Sequence, residues 1–222
     1  MVMKMMRNES CGMKEIEVLM ERYPALEQCR GAIEAAAELL IEAYRGGGKA
    51  MVCGNGGSCS DSAHIVGELM KAFAQPRRLT EAQRAALRNV GPEGASMVQA
   101  LQQGLPAIDL TAQTGLNTAF LNDVDPALCF AQQAFVYAQA GDVLIGLSTS
   151  GNSDNVIKAG AAAKAKGARL IGLTGERGCR MDGLFDVVIH VPARETYQVQ
   201  EYHLPVYHAL CLAVEQTFFG EG

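Results

Sequence analysis

The stretch "GDVLIGLSTSGNSDNVIKAGAAAKAKGARLIGLTG", residues 141–175, decides the fold. It opens on an apolar run, DVLIGLSTS (142–150), that ends in hydroxyl residues. It continues as NSDNVIKAGAAAKAKG (152–167), with apolar residues at helical spacing and a glycine stop. It closes on a second apolar run, ARLIGLTG (168–175). Strand, helix and strand in this order make a βαβ unit. The strands are apolar throughout rather than alternating, which predicts a parallel sheet covered on both faces.

The same grammar extends outward. KAMVC (49–53) is a strand before glycines, and CSDSAHIVGELMKAF follows it as a helix. PAIDL (106–110) and FDVVIHVP (185–192) read as further strands, the latter ended by Pro192. GLNTAFLND (115–123) and PALCFAQQAFVYAQA (126–140) read as helices. A long helix closes the chain at 196–219, with Pro205 early inside it. Upstream, residues 8–45 read as two helices, the second opened by Pro24 and ended by GGG at 46–48. Long helices at a terminus often form oligomer contacts. Residues 75–105, with Pro76, Pro92 and a short helix TEAQRAALRNV, break the pattern. They are expected to be an insertion or cap packed beside the core of a single domain, 1–222.

Composition agrees with one globular domain: 222 residues, 49% apolar and 19% charged. A net charge of −5 gives no nucleic-acid footprint, and the densest basic cluster, QPRR (75–78), reads as a solvated loop. No run approaches a membrane span, and the N-terminus lacks the pattern of a signal peptide. Seven cysteines, at 11, 29, 53, 59, 129, 179 and 211, include no CxxC pair. A reduced, cytoplasmic protein is expected, with several cysteines as small core residues.

In a doubly wound sheet, ligands bind beyond the C-terminal strand edges. Two polar, glycine-bearing stretches fall there, 54–58 and 148–153. In the second, Ser148, Thr149, Ser150 and Ser153 surround Gly151 and Asn152 just before a helix. A helix N-terminus offers unpaired N–H groups and a partial positive charge, so this is a phosphate site that needs no Lys or Arg. An ordinary serine cap would need only one of these residues. The first stretch, GNGGS, lacks the lysine of a nucleotide P-loop and the full GxGxxG fingerprint. Its glycines, Gly56 among them, still let the backbone approach a ligand closely.

The helix after GNGGS carries His64 and Glu68, an i, i+4 pair on one face. Such a pair suits a metal, a base beside a polarising group, or a plain surface ion pair. The terminal helix carries Gln200, His203 and His208. Gln200 and His208 are about 80° apart around the helix and about 12 Å along it. That separation is wide for two ligands of one ion, and His203 competes locally. His190, in an apolar strand, is read as structural.

These residues carry a resemblance. GNGGSCSDSAHIVGEL (54–69), LND (121–123), residues 141–175 and VQEYHLPVYHALCLAVEQTFF (199–219) resemble the sugar isomerase (SIS) domain family, and within it the phosphoheptose isomerases. The resemblance covers the chain except 75–105. It implies a three-layer αβα sandwich on a five-stranded parallel sheet, preceded by N-terminal helices, and a homotetramer with sites between subunits. It implies interconversion of sedoheptulose 7-phosphate and D-glycero-D-manno-heptose 7-phosphate through an enediol. By position, Glu68 and His208 match the family's acid–base pair. His64, Glu68, Gln200 and His208 match its zinc ligands. Asn55, Gly56, Ser58, Ser148, Thr149, Ser150, Ser153 and Gln200 match the substrate and phosphate contacts, and Asp123 a sugar-contacting Asp. The chain departs from the family at Cys59, where a His is usual, at Ala72 in place of an Arg, and at Tyr197 in place of an Asp. A non-catalytic relative, a tetrameric scaffold for a replication initiator, is the competing implication.

Overall fold

The structure is a computed structural model and describes residues 13–220. Cys11 and the expected start of the first helix at residue 8 lie outside the described residues. The first helix, α1, is described over 13–22. A 3₁₀ turn opens at Pro24, and α2 runs Arg30–Arg45. Then come β1 (Ala50–Gly54), α3 (Gly57–Met70), α4 (Glu81–Asn89), α5 (Pro92–Met97) and β2 (Ala107–Asp109). The chain continues through α6 (Thr114–Asp123), α7 (Cys129–Tyr137), β3 (Val143–Leu147), α8 (Asp154–Ala165), β4 (Arg169–Thr174), β5 (Val187–His190) and α9 (Thr196–Phe219). Each expected strand forms. Ser148–Ser150, read as the end of a strand, instead make the loop into α8.

The five strands form one parallel sheet in the order β2-β1-β3-β4-β5. Its register explains the unbroken apolar strands. Val52, Ile145 and Ile171 align and face one core, with α1, α2 and α9. Their neighbours Met51, Leu144 and Leu170 align and face the other, with α7 and α8. Both faces are buried, so neither can be polar. Helix, sheet and helix make the three layers.

The chain leaves β1 toward β2 on one side and returns to β3 on the other. The β1/β3 boundary is therefore the switch point where open α/β sheets bind ligands. GNGGS follows β1 there, and STSGNS follows β3.

Residues 75–105 form a helical excursion between α3 and β2, anchored where Arg77, Val98 and Leu105 are buried. None of the residues of α4 is buried; the helix is capped by a Thr80/Gln83 capping box and packs on α5. The two ends of the excursion are clipped together by the Arg78–Gln102 bridge and by Gln103 N–H donating to the Arg77 carbonyl. QPRR is not all solvated. Arg77 is buried, because its guanidinium pairs with Glu215 of α9 at 2.8 Å and donates to the Glu68 and Leu69 carbonyls at the end of α3.

Candidate active site

The glycine-rich turn after β1 is tight, with Gly56 at φ +58°. A Cβ at Gly57 would lie 2.6 Å from the Gln200 Nε2, so the glycine leaves room for that amide on the start of α3. Helices α3 and α9 run side by side in one direction. Gln200 lies over Gly57, while Tyr207 and His208 meet Asp61 and His64 about two turns, roughly 10 Å, further on.

At that far end His64 is the hub. Its Nε2 is 3.2 Å from Glu68 Oε1 and 3.4 Å from His208 Nε2. Its Nδ1 is 3.0 Å from the Tyr207 hydroxyl, which donates to Asp61 Oδ1 at 3.2 Å. A hydroxyl whose proton goes to Asp61 accepts from its other neighbour. His64 therefore carries its proton on Nδ1 and turns the Nε2 lone pair toward Glu68 and His208. Glu68 is 12% exposed; its Oε2 is buried without a hydrogen bond and lies 3.5 Å from Lys71 Nζ. Burial pushes the Tyr207 hydroxyl up, with Asp61 adding to it. Burial also raises Asp61, against the Tyr207 hydrogen bond. Burial, then the neighbouring His64, lowers His208, so it is neutral at neutral pH. His203 takes no part; it is fully buried and pushed down to about 4 by desolvation.

His64 Nε2 stands at zinc-ligand separation from Glu68 Oε1 and from His208 Nε2. The three atoms do not all lie within 4.8 Å of one another, so a side chain would turn to bring all three onto one ion. Two ligands of a tetrahedral zinc lie about 3.4 Å apart, close to the 3.2 and 3.4 Å separations around His64. Gln200, at the other end of the helix pair, stands apart from this set.

The two loops at the switch point touch. Asn55 and Asn155 exchange paired amide hydrogen bonds of 2.9 and 2.8 Å, tying GNGGS to the first turn of α8. In the hydroxyl loop the Ser148 and Ser153 Oγ atoms are 2.8 Å apart, and Ser148 is buried. Ser150 is exposed, and its Oγ accepts from the Asn152 N–H. Ser58 is buried in the first turn of α3. Asp123 is exposed at the end of α6 and accepts from the Asn122 side-chain amide. His190, read as a structural strand residue, is half-buried and bonds Gly175 and Asp182.

An SIS domain profile matches residues 13–102 and 84–175. The chain belongs to the SIS domain family. It is 39% identical over 192 residues to a phosphoheptose isomerase of Nitratiruptor sp., covering 86% of this chain and 89% of that one. It is 36% identical over 207 residues to a phosphoheptose isomerase of Burkholderia pseudomallei, covering 93% and 92%. Among solved structures it resembles the phosphoheptose isomerases of Neisseria gonorrhoeae (TM-score 0.65, 30% identity, 95% of this chain and 94% of that one) and Francisella tularensis (TM-score 0.68, 27% identity, 93% and 95%).

Sequence reasoning misses two residues of the His64 cluster and one buried ion pair. Asp61 and Tyr207 were not singled out, though Asp61 lies one turn before His64 and on its face. The ion pair is Arg77 with Glu215, and nothing local to QPRR reveals a carboxylate that lies 138 residues further on in the core.

Proposed function

We propose that this SIS protein is a phosphosugar aldose–ketose isomerase, acting between sedoheptulose 7-phosphate and D-glycero-D-manno-heptose 7-phosphate. The observation that carries the reading is the convergence of His64, Glu68 and His208 on a helix whose own start is tied to the hydroxyl loop. One end holds an anion and the other holds proton-transfer groups, as a long phosphorylated sugar requires. The identity to phosphoheptose isomerases along most of the chain supports the same substrate.

The phosphate sits at the start of α8, on its N–H groups and the hydroxyls of Ser148, Thr149, Ser150 and Ser153. Asn55, Gly56, Ser58 and Gln200 line the path between the ends, and Asp123 meets the sugar from an adjoining subunit. Glu68 Oε2, the carboxylate oxygen with no hydrogen bond, takes the proton from C1 of the ketose and returns it to C2. His208, a neutral imidazole, moves the matching proton between the two oxygens of the enediol. Zinc held by His64, Glu68 and His208 would polarise the carbonyl. Tyr207 and Asp61 hold His64 in the tautomer that faces this centre.

The assembly is a cytoplasmic homotetramer. A groove beside His208, lined from α1 by Val18 and Arg22 and from α9 by Leu204 and Leu212, supports the reading of α1 as an oligomer contact. Val18 and Leu204 are exposed in the single chain.

The test is incubation of zinc-loaded protein with sedoheptulose 7-phosphate, followed by NMR. Growth of the aldose signals is expected. No turnover of this substrate or of a panel of ketose phosphates, with retained binding of an initiator protein, would establish the scaffold reading instead.

A further inference from the structure

A second cluster of ligating side chains lies outside the His64 centre. Cys179, Asp182 and His190 each present one ligand atom, and these atoms all lie within 4.8 Å of one another; among the described residues they are the group of this kind. They come from the turn after β4 and from the end of β5, so the fold and not the sequence brings them together.

His190 is oriented from outside the cluster, whereas Asp182 is held from within it, its Oδ2 accepting from the Cys179 N–H at 2.7 Å in a capping box. The Gly175 carbonyl accepts from His190 Nδ1 at 2.8 Å, so Nδ1 carries the ring proton. The other nitrogen, Nε2, is turned to Asp182 Oδ1 at 2.8 Å. A lone pair and a carboxylate face each other there, and only a proton or a cation between them makes the contact favourable. Cys179 Sγ completes the group, 3.7 Å from the same Asp182 oxygen. Sulfur, nitrogen and oxygen ligands of one tetrahedral zinc lie about 3.4–3.6 Å apart. The Cys179–Asp182 separation, 3.7 Å, is slightly wider than this and the His190–Asp182 contact, 2.8 Å, narrower, so small side-chain rotations bring both to it. Thiolate, imidazole and carboxylate together select a borderline-soft ion over magnesium or calcium.

The place of the cluster gives it a role. Gly151 of the hydroxyl loop has φ +64°, and a Cβ there would lie 2.1 Å from Cys179 Sγ. The thiol is thus the floor under Gly151. Next to it, the Arg180 N–H donates to the Asn152 side chain at 2.9 Å. An ion holding Cys179 to β5 would brace the loop from behind, with no contact to the sugar.

We propose that Cys179, Asp182 and His190 form a second, zinc-type metal site that braces the hydroxyl loop, with a fourth position open to water. The experiment uses full-length protein stripped of metal and reloaded with Co²⁺, then with Zn²⁺. Cobalt bound to a thiolate gives a near-ultraviolet charge-transfer band, which a His64–Glu68–His208 centre cannot produce. The band is expected in the parent protein and in Cys59→Ser, and it is lost in Cys179→Ser. Metal content falls by one equivalent per chain in Cys179→Ser and in His190→Ala, and stays at the parent value in Cys59→Ser. His64→Ala loses its own equivalent and keeps the band, so failure of the catalytic zinc and failure of this site read differently. A parent protein without the band, or a band that survives Cys179→Ser, would overturn the proposal.

Discussion

The Nε2 atoms of His64 and His208 face each other at 3.4 Å, across two helices that are far apart in sequence. Such a pair needs a shared proton or a shared cation, and Glu68 stands beside it with Oε1 toward His64 and Oε2 without a hydrogen bond, 3.5 Å from Lys71 Nζ.

That arrangement makes Glu68 and His208 separately necessary. Glu68→Gln and His208→Ala are each expected to lower kcat by about 10²- to 10⁴-fold, the range for a proton-transfer group. Circular dichroism should be unchanged. Substantial turnover in either variant would contradict the assigned role.

Tyr207→Phe removes one hydroxyl and keeps the packing. His64 then loses the partner that holds its tautomer, and zinc affinity should fall by about 10- to 100-fold. Calorimetric titration with Zn²⁺ reads this directly. A variant with the parent's affinity would show that the hydroxyl merely fills space.

The pH profile follows from His208. Burial and His64 hold it below the ordinary imidazole value of 6.5; Arg22 adds to this and Glu68 opposes it. Neutral imidazole therefore persists into mildly acid solution, and the acid limb of kcat should lie below pH 6.5. An acid limb at or above that value would overturn the assignment. Stability has its own acid limb through His203. Its folded value of about 4 lies below the unfolded value near 6.5, so the unfolded chain binds more protons between these limits. Stability is present above pH 6.5 and is lost as pH falls toward 4, by about 3 kcal/mol at most. His203→Leu should flatten that part of a urea-unfolding series; an equal acid loss in the variant would count against it.

Arg77→Met leaves the Glu215 carboxylate buried without its cation. The expected cost is about 3–5 kcal/mol. Glu215 would keep the Phe73, Ala74 and Gln75 N–H groups, so the segment stays attached while the helix pair loosens. Urea unfolding checks the magnitude, and a loss within about 0.5 kcal/mol would place Arg77 among ordinary surface residues.

At the anion end, Ser150→Ala should raise KM more than it lowers kcat, because the hydroxyl anchors phosphate in ground state and transition state alike. Gly57→Ala should instead lower kcat, since the new methyl would displace the Gln200 amide. Steady-state kinetics separates the two; an unchanged KM in the first or an unchanged kcat in the second would remove that residue from the site.

The strands were legible because both faces of the sheet are buried, which leaves an unbroken apolar run in each. The hydroxyl loop was legible because its residues are consecutive. His64 and Glu68 were legible as one helical face. The excursion at 75–105 was less so: TEAQRAALRNV reads as a short helix, but nothing local shows that α4 packs on α5 with none of its residues buried. The partners of His190 were not legible for a related reason, since strand periodicity does not show that Gly175 and Asp182 stand beside a strand's end.

The sequence alone therefore determined the αβα class, the two loops at the strand ends and the helix bearing His64 and Glu68. Each depends on residues close together in the chain, where spacing is geometry. Only the tertiary structure decided that His208 meets His64, that Tyr207 and Asp61 orient it, that Arg77 closes on Glu215, and that Cys179 stands with Asp182 and His190 under Gly151. Those contacts join residues on different elements. Sheet order and helix packing set their distances, and no local pattern records them.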